Sequence, residues 1–162
     1  MLIVSHGITA LNRALFSGAK WLVYVIVALM LWEVASRYGL DTPTSWAPEL
    51  ATLIFGPFFL LGGPYLLHLG GHVAVDILSE RATGATARVL KLIALALAAI
   101  FGAILFWFAA PLVMQSFQYG ETSYSAWNPI IWPAKAFLPL ASLLLMLQAV
   151  ADVVTTLAGE SA

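Results

Sequence analysis

The chain has 162 residues, of which 62% are hydrophobic and 9% are charged, and its formal net charge at pH 7 is −1. So few charged residues cannot cover the surface of a water-soluble globule, and a near-neutral charge argues against a nucleic-acid partner. Cysteine is absent, which excludes disulfides, thiolate metal sites and cysteine nucleophiles. We therefore expect one membrane domain covering residues 1–162, embedded in lipid.

Charged residues divide the chain into four apolar runs. The runs lie between Lys20 and Arg37, between Glu49 and Asp76, between Lys91 and Glu121, and between Lys135 and Asp152. A helix rises about 1.5 Å per residue and the hydrocarbon core is about 30 Å thick, so each run is long enough to cross it. The runs also lack the two-residue alternation of barrel strands. The sequence predicts an all-α integral membrane protein with four transmembrane helices, at approximately residues 18–38, 49–69, 89–115 and 135–157.

The orientation follows from the basic residues near the ends of these spans, because cytoplasmic loops carry the excess of Lys and Arg. One side would hold Arg13, Lys20, Arg81, Arg88 and Lys91, and the other Arg37 and Lys135. We predict that both termini lie in the cytoplasm. An alkaline phosphatase fusion checks this orientation. It should be inactive at the C-terminus and at the loop containing Arg81, and activity at either place would contradict the topology.

The residues before the first span show an apolar helical stripe. Val4, Ile8, Leu11 and Leu15 recur at helical spacing, while polar residues fall largely on the other side. This pattern is typical of an amphipathic helix lying in the membrane interface. The alternative is a frayed terminus.

The first span ends with Val34-Ala35-Ser36, whose small residues also allow a signal-peptide cleavage site. A retained helix is favoured because Glu33 and Arg37 follow the apolar stretch. These two residues are four apart with the acid first, which predicts a mutual ion pair near the outer interface. The alternative is a proton relay.

The second span contains Pro57 and Pro64, which each remove a helical hydrogen bond, and Gly56, Gly62 and Gly63 around them. A bent or locally unwound helix is expected. Broken helices bind substrate or Na⁺ in some transporters, but those come in matched pairs and the chain has no second one. Close helix packing around a kink is therefore the favoured interpretation.

The third span carries Ala94, Ala98 and Gly102 at four-residue intervals. Small side chains at this spacing let a second helix approach closely in lipid. We predict that this face packs against another helix.

Residues that could bind metals or haem are few. His68 and His72 are four residues apart, but a haem held between helices draws its two ligands from facing helices, and Zn²⁺ would need ligands beyond Asp76. Gln148 and Asp152 could hydrogen-bond a neighbouring helix or be solvated at the interface. No catalytic constellation or phosphate-binding loop is found, so we expect no enzyme, no cofactor and no metal site.

Several short motifs together resemble the small membrane subunit, of the DctQ type, of tripartite ATP-independent periplasmic (TRAP) transporters. Arg37 matches the Arg that closes the first helix of that family, and Trp46 and Glu49 match the residues that open the second. The stretch from Gly70 through Asp76, which includes His72, matches the motif that follows the second helix. The similarity extends over nearly the whole chain, although each motif is short.

The resemblance implies a non-catalytic scaffold subunit that crosses the inner membrane of a bacterium several times. Its partners would be a large multi-span membrane subunit that binds Na⁺ and substrate, and a periplasmic binding protein that delivers an organic acid. Arg37, Trp46, Glu49, His72 and Asp76 would shape the fold or the partner contact. Two alternatives are the small subunit of a tripartite tricarboxylate transporter, which is also a four-span protein, and a respiratory membrane anchor that binds haem or quinone.

Overall fold

The computed structural model describes residues 2–70 and 85–158, which fold into helices joined by short loops. Helix α1 spans Leu2–Ala19 and α2 spans Leu22–Val34, followed by a π-helical turn over Ala35–Gly39. Helix α3 spans Trp46–His68, α4 spans Ala85–Gln118 and α5 spans Trp132–Ala158. No strand is found in the described ranges, where the β-type pairing is a single bridge between Thr122 and Ile130.

Four helical stretches are long and apolar enough to cross a membrane: Leu2–Gly39, Trp46–His68, Ala85–Gln118 and Trp132–Ala158. This confirms the predicted all-α fold with four membrane helices. The first stretch has 38 residues, which at 1.5 Å each gives about 57 Å, nearly twice the hydrocarbon thickness. Residues 22–39 number 18, which is within the range of about 17–25 residues for a single span, so α1 is additional to the length that one span needs.

Helix α5 is the centre of the bundle, because it contacts α1, α3 and α4, whereas α2 packs mainly on α3. The buried residues of α5 are mostly small or polar: Pro139, Ala141, Ser142, Leu144, Gln148, Ala149, Ala151 and Asp152. Since lipid is as apolar as leucine, helices in a bilayer associate through close packing and hydrogen bonds rather than through hydrophobicity. The composition of this core therefore suits a membrane bundle.

The contact between α4 and α5 repeats every seven residues. Leu95, Gly102, Ala109 and Ser116 are the buried residues of α4. A seven-residue repeat keeps one face of a helix turned toward its partner in left-handed packing. At Gly102 the two backbones approach closely, because a Cβ added there would lie 2.9 Å from the carbonyl oxygen of Ser142.

Helix α3 is α-helical from Trp46 to His68, through both of its prolines. Of the two expected forms, a bent or a locally unwound helix, the unwound one is therefore excluded, and the bend stays a prediction. Pro57, Gly62 and Pro64 are buried, and a Cβ added to Gly62 would lie 3.7 Å from the ring of Phe16 in α1. This is an ordinary van der Waals distance, so α1 packs against α3 at this position, which agrees with the packing interpretation.

Helix α1 is amphipathic, and two of its polar residues face the protein while His6 and Arg13 are exposed. Ser5 and Asn12 are buried, whereas Val4 and Leu11 are 67% and 51% exposed. Ser5 and Asn12 are seven residues apart but meet Ala151 and Gln148, which are only three apart on α5. The residues Leu2–Ala19 form a helix, so the frayed terminus is excluded for them, and the position of this helix in the membrane interface stays a prediction.

Candidate functional site

The predicted residues Arg37, Trp46 and Glu49 lie around the connection between α2 and α3. Arg37 is in the π-helical turn, Trp46 is the first residue of α3, and Glu49 is in its first turn. The π-helical turn is closed by a hydrogen bond from the Leu40 amide to the Ala35 carbonyl at 3.2 Å. This end of the bundle is the outer end in the predicted topology.

Glu33 organises this connection. Its carboxylate accepts hydrogen bonds from Nε of Arg37 at 2.9 Å and from the backbone amide of Thr44 at 3.0 Å. A second guanidinium nitrogen of Arg37 and the hydroxyl of Thr44 also donate to it. The Glu33 side chain is 5% exposed and that of Arg37 is 48% exposed. The predicted pair of Glu33 and Arg37 is therefore confirmed, and it ties the end of α2 to the segment that leads into α3.

Glu49 is held by the loop between α4 and α5. Its carboxylate accepts a hydrogen bond from the Ser125 hydroxyl at 2.5 Å, and Ser125 in turn accepts one from the Asn128 amide at 2.9 Å. Tyr124 and Asn128 have positive φ angles of 54° and 53°, a backbone that Asn adopts more readily than most residues. A carboxylate in the first turn of α3 also interacts favourably with the helix dipole.

The same loop is fastened to α5 by an ion pair. Lys135 Nζ lies 2.6 Å from the Glu121 carboxylate, and the Ile131 amide donates to the Glu121 carbonyl at 3.1 Å. The hydrogen bond from Lys135 lowers the pKa of the Glu121 carboxyl below its ordinary value of 4.5. A carboxyl whose pKa is lower in the folded state stabilises the fold above its ordinary pKa.

We predict a small effect of pH on stability from this pair, because both side chains are partly exposed. Glu121→Gln should lower Tm slightly at neutral pH. The difference from the unchanged chain should vanish as the pH falls through the lowered pKa of Glu121. Thermal unfolding at several pH values measures it, with Asp41→Asn as the control outside this pair. A Tm difference that persists in acid would contradict the assignment.

The opposite end of α3 and α5 holds a polar cluster that the sequence did not predict as a unit. His68 Nδ1 lies 2.8 Å from Asp152 Oδ1, and Gln148 donates to the same oxygen at 3.0 Å. Gln148 also contacts Asn12 and Thr9 of α1. The buried residues of α1 are Ser5, Asn12 and Ala19, which recur at seven-residue intervals. This spacing is the sequence pattern that could have indicated which face of α1 packs on the bundle.

The remaining predicted positions are distributed over the molecule. On α4, Gly102 is buried against α5, and Ala94 and Ala98 are half-buried. His72 and Asp76 lie outside the described residues. Within residues 2–70 and 85–158, no group of three or more His, Cys, Asp or Glu side chains is arranged to hold a metal ion.

An apolar groove of about 320 Å³ lies between α2, α3 and the beginning of α5. Its lining residues are Leu22, Leu53, Ile54, Pro57, Ile130, Pro133, Ala134 and Phe137. Pro57 thus lies among apolar side chains that offer no ligands to an ion. This argues against the alternative interpretation of a substrate or Na⁺ site around it.

The outer surface of the bundle is strongly apolar. On α4, Trp107 is 75% exposed and Phe108 is 67% exposed, and Leu31 on α2 is 64% exposed. An apolar surface this extensive is stable in hydrocarbon or against another apolar protein surface.

Comparison with known protein families identifies the family of this chain. A family model described as "Tripartite ATP-independent periplasmic transporters, DctQ component" matches residues 26–159. The chain belongs to the DctQ family. It is a small membrane subunit of a TRAP transporter in the bacterial inner membrane, and a transporter component rather than an enzyme. The resemblance carried by Arg37, Trp46 and Glu49 pointed to the correct family.

This DctQ chain is also similar to a named relative. It is 28% identical over 60 residues to the sialic acid TRAP transporter small permease protein SiaQ of Vibrio cholerae serotype O1. The match covers 37% of this chain and 35% of the relative. It thus spans about a third of the relative's length.

Proposed function

We propose that this DctQ-family chain is a non-catalytic scaffold for a large membrane subunit. That partner would move an organic acid across the membrane with Na⁺, after a periplasmic binding protein delivers the acid. The family match over residues 26–159 carries the proposal. The name of the Vibrio relative, a sialic acid transporter component, supports an acidic substrate class.

The ionisable side chains at the helix ends support a scaffold role. Glu33 is bonded to Arg37 and Thr44, Glu121 to Lys135, and Asp152 to His68. An ion-coupled site needs buried groups that can exchange a ligand, commonly at broken helices near the membrane centre. Here the groups join one helix or loop to the next, so their contacts stabilise the subunit.

Reconstitution tests the proposal. Liposomes containing this chain alone should show no Na⁺-driven uptake of any member of a panel of organic acids. Adding the large subunit and the binding protein should produce uptake that depends on a Na⁺ gradient. The matched control contains the large subunit and the binding protein without this chain, and it should yield little transport. Uptake by this chain alone would overturn the scaffold role.

A further inference from the structure

Helix α4 has a second regular face, on the side away from α5. We name its members the exposed seam, and they follow one another at alternating steps of four and three residues: Ile93, Leu97, Ile100, Ile104, Trp107 and Pro111. Ile93 and Pro111 are each nine residues from the buried Gly102, which is about two and a half turns, so this face lies opposite the contact with α5. Every member is exposed. The exposed seam thus has the spacing of a contact between helices, but within residues 2–70 and 85–158 α4 packs on α5 alone.

The exposed seam lies in the hydrocarbon at Trp107. The stretch of α4 from Leu92 to Gln118 is uncharged, and it is longer than the about 20 residues that the hydrocarbon core holds. Trp107 falls inside the core wherever a window of that length is placed on the stretch. Tryptophan is more typical of the two membrane interfaces, where its N–H meets water or headgroups. Here the indole N–H of Trp107 has no hydrogen-bond partner among the described residues.

Pro111 leaves an acceptor free on the same residue. Proline has no N–H, so the carbonyl oxygen of Trp107, four residues earlier, lacks its helical donor. The other prolines inside helices of the described ranges, Pro57, Pro64 and Pro139, are buried, so other helices of the bundle lie beside the bonds that they remove. Pro111 is exposed. Trp107 thus presents a free donor and a free acceptor at a depth where the chain itself offers no cover.

Lipid tails satisfy neither group of Trp107. A polar group without a partner is costly in hydrocarbon, and water is absent at this depth. The hydroxyl and amide side chains of another helix are the groups that form such hydrogen bonds inside a membrane. The polar groups of Trp107 therefore favour a protein rather than lipid as the cover of the exposed seam.

The exposed area agrees with a protein contact. An aromatic side chain has about 150–250 Å² of surface. Trp107 is 75% exposed and its neighbour Phe108 is 67% exposed, so the two present roughly 200–350 Å². This is about a quarter to nearly a half of the about 800 Å² that one partner contributes to a standard interface. The aliphatic members of the seam, which are each more than half exposed, add to it.

We propose that the large membrane subunit attaches to the exposed seam of α4 through one of its apolar transmembrane helices. The inference rests on the proposed scaffold function. The partner helix packs along the seam and carries a hydroxyl or amide side chain at the depth of Trp107. That side chain donates to the carbonyl oxygen of Trp107 that Pro111 leaves free. Helix α4 then joins two proteins, with its buried repeat on α5 and its exposed seam on the partner.

The accessibility of spin labels to oxygen tests the surface in lipid nanodiscs. The chain has no native cysteine, so Ile100→Cys and Phe101→Cys each provide one labelling position. These neighbours are 55% and 56% exposed, lie at nearly the same depth and point about 100° apart. In the chain alone, both labels should be accessible to oxygen dissolved in the lipid. In the complex with the large subunit, the accessibility at Ile100 should fall several-fold, whereas that at Phe101 should change little.

Three outcomes of this measurement overturn the inference. If the label at Ile100 stays accessible in a complex that does form, the large subunit binds elsewhere and the scaffold function stands. If that label is protected in the chain alone, a second copy of the chain occupies the seam. If the large subunit does not co-purify with the chain, the scaffold function fails and the inference fails with it.

Pro111→Ala tests the hydrogen bond to Trp107. Alanine restores an N–H that pairs with the Trp107 carbonyl inside α4, so the large subunit loses its acceptor. The dissociation constant of the complex should rise about threefold to tenfold, whereas the isolated chain should keep or gain thermal stability. The control Leu112→Ala removes apolar area at a residue that is 60% exposed but lies off the seam, and it should leave the dissociation constant unchanged. An unchanged dissociation constant in Pro111→Ala overturns the contact at Trp107.

Discussion

Replacing Gly102 by Leu is expected to separate α4 from α5 and to destabilise the subunit strongly. A Cβ at this position would lie 2.9 Å from the carbonyl oxygen of Ser142 and 3.2 Å from the amide nitrogen of Met146. Both are backbone atoms of α5, so no side chain can rotate away to make room. Overpacking of this kind costs about 1–3 kcal/mol or more, and a whole isobutyl group lies at the upper end of that range.

The neighbouring Ala103 provides a matched control, because it is also small but exposed. Hydrocarbon gives leucine no reason to avoid a lipid-facing position, so Ala103→Leu should leave the protein almost unchanged. The measurement is the fraction of each variant that remains monodisperse in detergent after heating. Equal losses for both variants would show that the damage comes from added bulk in general and not from the contact with α5.

Replacing Glu33 by Gln is expected to cause the second large loss of stability. The carboxylate accepts hydrogen bonds from Arg37 and from both the amide and the hydroxyl of Thr44. A neutral amide offers one acceptor oxygen in place of two, and its NH₂ group would face the N–H and O–H donors of Arg37 and Thr44. We expect Tm to fall by several degrees, because the connection between α2 and α3 then contains a guanidinium without its counter-ion.

Two comparisons define the cause of the loss. Glu49→Gln removes a charge from the same end of the bundle, but the hydrogen bond from Ser125 can be retained by the amide oxygen, so a smaller decrease in Tm is expected. The double variant Glu33→Gln with Arg37→Gln should recover part of the loss, since it removes the uncompensated cation. A double variant less stable than Glu33→Gln would mean that Arg37 is stabilised by other contacts.

The membrane fold could be predicted from the sequence because hydrophobic length is a local property. Four apolar runs were sufficient to indicate four helices, and the four-residue separation of Glu33 and Arg37 was sufficient to indicate their pair. Each apolar run, and the pair of Glu33 and Arg37, lies within a single helical stretch. Such relations can be read from spacing alone.

The contacts between distant segments could not be predicted in the same way. Asn12 and Gln148 are 136 residues apart and His68 and Asp152 are 84 apart, so no periodicity relates them. Glu49 was expected to be important from family resemblance, but its contact with Ser125 depends on where a separate loop folds back. His72, Asp76 and the role of the motif they belong to remain predictions.

The orientation of α1 shows why a rule from soluble proteins fails in lipid. In water, the apolar stripe of an amphipathic helix packs on the protein and the polar side is solvated. In a bilayer the solvent is itself apolar, so the polar residues find partners only inside the protein. Ser5 and Asn12 accordingly face the bundle, and Val4 and Leu11 face outward.

The position of α1 also has a consequence for the order of assembly. Helix α5 carries Gln148 and Asp152, whose polar atoms are costly in hydrocarbon until partners cover them. The partners on α1 are made first and those on α3 next, whereas α5 is made last. Synthesis proceeds from the N-terminus. Helix α5, whose polar side chains cost the most free energy in hydrocarbon, is therefore made after the helices that carry its hydrogen-bonding partners. Helix α1 thus supplies hydrogen-bond partners to a helix that is made after it.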